Sequence, residues 1–159
     1  MHLYHVNIEN QVQNIISVLP PEKVQGKDLP LKSIVGKLLK PVEQGGELIY
    51  NNFISNSLFT KFMHEVIVKY APQLKEIQDQ AKQQQNGWLY IIDLRRPNSE
   101  RSDPLEDMLE DTIGAFKVNE SQLLPESYQP ITEHKILSAR GFFKLNSQLH
   151  EYIIDECLM

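Results

Sequence analysis

Residues 87–116 read GWLYIIDLRRPNSERSDPLEDMLEDTIGAF and decide the predicted fold. WLYIIDL is a nearly continuous apolar run with aromatic and β-branched residues, which is typical of a strand buried on both faces. TIGAFKV has the composition of a second strand, and the polar stretch between the two holds six acidic residues from Glu100 to Asp111. The pattern predicts two strands of one sheet that are joined by a strongly acidic insert.

Further strands and a helix follow this pair in the chain. The sequence NES turns the chain after TIGAFKV, and HKIL and GFFKL have the pattern of short strands. SQLHEYIIDECL is amphipathic at helical spacing, with Asn146 or Ser147 placed to cap its start. Strands joined by tight turns predict a small, mainly antiparallel sheet over residues 88–159 with a C-terminal helix.

In the first half of the chain, the apolar residues recur at the spacing of a helix instead. LYHVNI could form a short strand, but IENQVQNIISVL, residues 8–19, has apolar residues three or four apart, and LPLKSIVGKLLK predicts a short helix from about Leu31 to Lys40. The longest stripe runs from residue 57 to 85, capped by Ser55 or Ser57, and Pro72 predicts a kink or two consecutive helices near Ala71. We therefore expect an α+β fold in which a helical N-terminal half, about 1–87, packs on the sheet.

Length and cysteine content bound the class of protein. A chain of 159 residues is long enough for one domain with its own core, so we predict a single domain over residues 1–159. Cys157 is the one cysteine, which excludes an internal disulfide and favours a reducing compartment. The start of the chain lacks the pattern of a secretory leader, and no apolar run is long enough to span a bilayer, so we expect a cytoplasmic protein.

No motif in the sequence predicts catalysis, a cofactor or a metal. The chain has no phosphate-binding loop, no dinucleotide fingerprint and no nucleophile elbow. His2 and His5 lack a third ligand at suitable spacing, and His64 lacks the second histidine of a zinc-protease helix. Cys157 follows apolar residues on the last helix, which predicts a buried thiol. We expect a protein that is not an enzyme and has no cofactor.

Charge is unevenly distributed along the chain. Residues 1–87 carry nine lysines against eight acids, a net of +1, whereas residues 88–159 carry seven basic residues against thirteen acids, a net of −6. The acidic insert is either a solubilising loop or a site that attracts a basic protein. On the second interpretation the partner-binding residues are those of the insert: Arg96, Arg101, Asp103, Glu106, Asp107, Glu110 and Asp111.

The stretch from WLYIIDLRRP through DTIGAFKV, SYQP and GFF resembles a pattern found in small bacterial immunity proteins, which are encoded beside polymorphic or contact-dependent growth inhibition toxins. The resemblance covers about residues 88–157, less than half of the chain. The matching positions are Asp93, Gly114, Phe116, Tyr128, Pro130, His134, Gly141 and Phe142. It implies a toxin inhibitor that binds its cognate toxin stoichiometrically, and an acidic surface suits a toxin that is a nuclease.

Two alternatives from other classes remain open. In the first, the protein is a small enzyme whose polar site contains Tyr90, Asp93, Arg95 and His134, with Asp93 and His134 as an acid/base pair if they meet in space. In the second, it is an adaptor that uses the apolar stripe of the helix at residues 57–85 as an interface. Separation of Asp93 from His134 would exclude the first, and burial of the stripe would exclude that interface.

Overall fold

The computed structural model describes residues 1–39, 52–95 and 111–159. These residues form two compact units, each with its own segments of chain. Unit 1 contains Met1–Met63, Ile136–Phe142 and Ile153–Met159. Unit 2 contains His64–Lys135 and Phe143–Tyr152.

Unit 1 is built on a four-stranded antiparallel sheet in the order β1-β2-β3-β4. Its strands are β1 (His2–Ile8), β2 (Gln11–Ser17), β3 (Ile34–Leu38) and β4 (Phe53–Ser55). A short helix, α1 (Pro21–Val24), and a 3₁₀ turn, Leu31–Ser33, connect β2 to β3. The predicted helical N-terminal half is therefore wrong, because the regular structure before residue 39 consists mainly of strands.

The predicted helix over residues 8–19 is replaced by a hairpin of β1 and β2. Glu9 and Asn10 at its tip have φ values of 52° and 66°, the left-handed pair that a tight two-residue hairpin turn requires. Ile15 and Ile16 are both buried although they point to opposite faces of β2, which pairs on both sides. Adjacent buried residues of this kind produce an apolar spacing that resembles that of a helix.

The predicted helix from Leu31 to Lys40 is also replaced. Its first turn is the 3₁₀ turn, and the chain then extends into β3, where the β-branched pair Ile34 and Val35 fits a strand better than a helix. The side chain of Ser33 is buried at this junction and hydrogen-bonds to the carbonyl oxygen of Pro30 at 2.7 Å.

The long helical stripe is confirmed, together with its break. It forms α2 (Ser57–Tyr70), a 3₁₀ turn at Ala71–Gln73 that contains Pro72, and α3 (Lys75–Gln84). The cap is Asn56 instead of the predicted Ser55 or Ser57, since its side-chain oxygen accepts the N–H of Leu58 at 3.2 Å. Phe62, Val66 and Ile67 are 9%, 3% and 0% exposed, so this stripe is core and not an exposed interface.

Unit 2 contains a three-stranded antiparallel sheet in the order β5-β6-β7. Its strands are β5 (Gly87–Ile92), β6 (Thr112–Asn119) and β7 (Gln122–Pro130), and Glu120 and Ser121 form the predicted turn between the last two. A two-stranded ladder of β8 (Leu137–Ser138) and β9 (Gly141–Phe142) belongs to unit 1. The C-terminal helix, α4 (Ser147–Cys157), is confirmed and is capped by Asn146, which accepts the N–H of Gln148 at 2.9 Å.

Each unit has its own buried apolar residues. Those of unit 1 include Ile16, Val35, Leu38, Phe59, Met63 and Ile153. Those of unit 2 include Ile67, Leu89, Ile113, Phe116, Val118 and Leu149. Cys157 is 2% exposed, and burial raises the pKa of its thiol to about 11, which fits the predicted buried thiol. Among the described residues, none of the helices has the length and apolar content needed to cross a membrane.

Candidate functional site

Three charged side chains meet in unit 2 at the end of β5. His134 Nε2 lies 2.7 Å from Asp93 Oδ2, and Arg95 Nη2 lies 2.6 Å from the same oxygen. The side chains of Asp93, Arg95 and His134 are 0%, 6% and 3% exposed. We call this group the Asp93 cluster. It brings together the aspartate and the histidine that the enzyme hypothesis paired across 41 residues of sequence.

The Asp93 carboxylate accepts five hydrogen bonds. Oδ1 accepts the backbone N–H groups of Arg95 and Lys144, each at 3.0 Å. Oδ2 accepts Nε and Nη2 of Arg95 at 2.9 and 2.6 Å and Nε2 of His134 at 2.7 Å. Burial disfavours the charged form, but the His134, Lys144 and Arg95 hydrogen bonds outweigh it and lower the pKa of Asp93. The carboxylate is therefore ionised at neutral pH.

The backbone places these groups at the ends of regular elements. The ladder of β5 with β6 shifts register between Ile91 and Ile92, so the chain leaves the sheet just before Asp93. Leu94 N–H then donates to the carbonyl oxygen of Lys144 at 2.8 Å, which fixes the segment before α4 beside the end of β5. His134 ends a turn in which its N–H donates to Ile131 O at 3.2 Å. The Arg95 Nη2 group also donates to Lys135 O.

The cluster lies where the acidic insert begins and ends. Arg95 is the last described residue before the insert and Asp111 the first one after it. Asp93 N–H donates to Asp111 O at 2.6 Å, so the chain on both sides of segment 96–110 attaches to the same buried group. That segment contains five acids and two arginines, a net charge of −3. A segment whose ends are already fixed loses less chain entropy when it binds a partner.

Most of the predicted partner-binding residues lie outside the described part of the chain. These are Arg96, Arg101, Asp103, Glu106, Asp107 and Glu110. The exception is Asp111, which was predicted as part of an exposed acidic surface but is only 4% exposed. Its position at the start of β6, beside the end of β5, explains this burial, because the strand enters the sheet immediately after it.

A second polar pair in unit 2 was not predicted. His64 Nδ1, on α2, lies 2.6 Å from the hydroxyl oxygen of Tyr128 on β7, and the centres of the two rings are 5.7 Å apart. Burial, and to a lesser extent the charge of His134, lower the pKa of His64 to about 4. Burial also raises the pKa of Tyr128. No local signal in the sequence indicates a pair whose members lie 64 residues apart.

The arrangement limits what chemistry the Asp93 cluster can do. An ionised aspartate that accepts five hydrogen bonds is a poor proton acceptor, and its role in such a pair is to orient the imidazole and stabilise its cationic form. His134 then presents Nδ1 as its remaining ring nitrogen. Tyr90, the fourth residue of the enzyme hypothesis, lies on β5 opposite Ala115 and is not one of the three clustered residues. In the described part of the chain no group of three or more histidine, cysteine and acidic side chains is arranged to hold a metal.

The chain matches no protein-family model, no curated protein and no solved structure. The resemblance of residues 88–157 to immunity proteins therefore remains a prediction. Four of its positions contact one another in pairs: Asp93 binds His134, and the Tyr128 ring lies against Gly114. These contacts give those four positions a structural role.

Proposed function

We propose that this protein binds a basic protein partner stoichiometrically through the acidic segment 96–110, and that the partner is a cognate bacterial toxin domain. The observation that carries the proposal is the attachment of the chain on both sides of this segment to the Asp93 cluster. The resemblance to immunity proteins supplies the class of partner. Binding takes place in the cytoplasm, where a toxin that has entered the cell would act.

The negative charge of such a protein would raise its association rate with a basic partner and would make its binding selective. The net charge of −6 on residues 88–159 would accelerate encounter with a positively charged toxin surface, and like-charged proteins would be rejected. A nuclease is the toxin class best suited, because its cleft must attract phosphate and therefore carries lysine and arginine. The association rate should fall as ionic strength rises, since salt screens the attraction between exposed charges.

The Asp93 cluster supports this function by fixing the base of the binding segment. Its donors and acceptors are engaged with one another: the carboxylate takes five hydrogen bonds, and Arg95 also binds Lys135 O. Removing one partner of a buried ion pair costs about 3–5 kcal/mol. The residues on either side of the segment therefore stay bound to the cluster under ordinary conditions. A segment presented from a rigid base keeps more of its contact energy as affinity.

The test is binding to the variable C-terminal domain of a large secreted protein encoded next to this chain. We expect a one-to-one complex in isothermal titration calorimetry and protection of cells that express the toxin domain. A triple variant combines Glu106→Lys, Asp107→Lys and Glu110→Lys, which reverses the charge of the binding segment. This variant should lose at least about a hundredfold in affinity.

A matched control changes three exposed acids elsewhere in unit 2. Glu126→Lys, Glu133→Lys and Glu151→Lys alter the net charge of the chain by the same amount. This control should retain affinity within about tenfold, since it changes only the long-range field. Equal loss in both triple variants would assign binding to net charge alone and contradict a role for the segment, and the absence of any complex would refute the proposal.

The second candidate function is that of a small enzyme in which His134 and Asp93 act as an acid/base pair. The 2.7 Å contact between the two side chains favours it, because this distance is within the reach that such a pair needs. A catalytic His134 must be reachable by substrate and therefore by a small acylating reagent. Diethylpyrocarbonate should modify His134 quickly if it is catalytic, and as slowly as the global unfolding rate if its role is structural. Mass spectrometry of the peptide that contains residue 134 separates the two outcomes.

A further inference from the structure

The edge strand β7 pairs with β6 at both ends but not in the middle. Leu124 lies opposite Lys117 and Gln129 lies opposite Ala115, so one residue of β6, Phe116, faces four residues of β7, 125–128. In the described part of the chain β7 is also an edge of its three-stranded sheet. The regular backbone ladder is therefore interrupted in the bulge formed by residues 125–128.

Side chains hold this bulge in place. The hydroxyl group of Ser127 accepts the Lys117 N–H at 2.7 Å and donates to Leu124 O at 2.5 Å. The Tyr128 ring turns inward, where it packs on Phe116 with the ring centres 4.9 Å apart and lies against Gly114. Because the backbone ladder is interrupted, the position of the bulge depends on these Ser127 hydrogen bonds and on what holds Tyr128.

Two further side-chain contacts join the bulge and the chain that follows it to other elements of unit 2. One is the contact between the Tyr128 hydroxyl and His64 Nδ1, which joins β7 to α2 at 2.6 Å. The other is the contact of His134 with Asp93 at 2.7 Å, which joins the turn after β7 to the end of β5. In the first contact the imidazole faces a neutral hydroxyl group, whereas in the second it faces an ionised carboxylate.

We propose that His64 is an acid-operated latch for β7: while it is neutral it holds Tyr128 and the bulge against α2, and its protonation opens residues 125–131 locally while β5 and β6 remain paired.

The surroundings of His64 oppose a positive charge on it. Tyr128 faces it from β7, and His134, from the turn after β7, acts on it electrostatically. Behind His134 lie the Asp93 carboxylate and the Arg95 guanidinium, whose Nη2 is 3.3 Å from His134 Nε2. On α2 itself the nearest charged residues in sequence, Lys61 and Glu65, are exposed to solvent. In a protonated His64 both ring nitrogens are donors, so Nδ1 could then donate to the Tyr128 hydroxyl oxygen but could not accept its proton.

The direction of the pH effect follows from the proton affinity of the two forms. In the closed form burial lowers the pKa of His64 from 6.5 to about 4, whereas an open form would return the imidazole to water and to its ordinary pKa. The open form therefore gains protons first as pH falls below 6.5, and it becomes progressively more populated down to about pH 4. Asp93 does not titrate in this window, because its pKa lies below its ordinary value of 3.8.

Hydrogen exchange measured by mass spectrometry tests the latch on the full chain. Exchange at pH 7.5 and pH 5.0 is normalised to the intrinsic rate at each pH, and peptides covering residues 122–131 are compared with those of β5. Protection of the β7 peptides should fall about tenfold more than that of β5 between the two values. His64→Gln retains an acceptor for Tyr128 without a titrating group, and it should abolish this difference. His5→Gln removes an exposed histidine of unit 1 and should leave it unchanged.

Two results would overturn the proposal: equal loss of protection in β5 and β7, or a β7-specific loss that persists in His64→Gln. If that variant is unfolded at pH 7.5 by circular dichroism, the NMR titration of His64 in the unmodified protein decides the matter. A ring that titrates near pH 6.5 would show that the closed form tolerates the charge and would refute the latch. A titration near pH 4, together with the β7-specific loss, supports it.

Discussion

The Tyr128 ring lies directly on Gly114, so that a Cβ atom at residue 114 would collide with the ring and its hydroxyl oxygen. Gly114 is on the central strand of the unit 2 sheet and Tyr128 is in the bulge of the neighbouring strand. The absence of a side chain at residue 114 is what allows the aromatic ring to approach the sheet and reach His64.

Gly114→Ala should destabilise the protein by about 1–3 kcal/mol, because the added methyl group overpacks a buried contact. Urea unfolding followed by circular dichroism measures the change in the free energy of unfolding. The substitution is then repeated in a Tyr128→Ala background, where the ring is absent. There the added methyl should cost less than about 0.5 kcal/mol, and an unchanged cost would show that some neighbour other than Tyr128 limits the space.

Asp93→Asn should destabilise the protein by about 3–5 kcal/mol, because it removes the negative charge that the buried Arg95 guanidinium binds. The amide can also accept fewer than the five hydrogen bonds that the carboxylate accepts. Glu126→Gln, which neutralises an exposed acid of the same unit, serves as the control and should change stability by less than about 0.5 kcal/mol. A small effect of Asp93→Asn would contradict the role assigned to the cluster.

Stability should fall in strong acid through the Asp93 carboxylate. The pKa of Asp93 is lowered in the folded protein relative to its ordinary value of 3.8, so the unfolded chain takes up this proton first. The stabilisation is complete above about pH 4 and is lost as pH falls through the folded pKa. Urea unfolding at pH 5, 4 and 3 should show this loss, and it should be smaller in His134→Gln, where the carboxylate has one strong donor fewer. An equal slope in both proteins would argue against the hydrogen bond from His134 as a cause.

Asn56→Ala should destabilise unit 1 by about 1–3 kcal/mol. Its side-chain oxygen caps α2, and its side-chain nitrogen donates to Leu31 O and Ile34 O at 3.1 and 2.8 Å. Asn56→Asp keeps the cap acceptor but places a negative oxygen against those carbonyl groups, so it should not restore the lost stability. Ser57→Ala, at the cap position expected from sequence, should change the free energy of unfolding by less than about 0.5 kcal/mol. A larger loss of stability in Ser57→Ala than in Asn56→Ala would show that Ser57 caps α2.

Local signals in the sequence were sufficient where an element depends on its own residues. The apolar stripe of α2 and α3 and their break at Pro72 were predicted correctly, and Asn146, one of the two cap candidates of α4, is the cap; each is set by contacts within a few residues. The strands β5 and β6 were also predicted from their apolar runs, and β6 is buried on both faces over its first five residues. The expectation that β5 is buried on both faces was wrong, because β5 is an edge of its sheet in the described part of the chain and Trp88 is 43% exposed. The stretch at residues 8–19 was mistaken for a helix because its alternation was hidden by adjacent buried isoleucines.

By itself, the sequence determined the mixed α+β composition, the helices between residues 57 and 84, the acidity of the second half of the chain and the buried thiol of Cys157. Only the tertiary structure decided that the first half forms a sheet and that Asp93, Arg95 and His134 meet, as do His64 and Tyr128. The physical reason is the separation along the chain of the residues that must come into contact. Helix caps and turns depend on neighbours in the chain, whereas strand partners and buried polar pairs depend on residues tens of positions away, whose encounter no local pattern encodes.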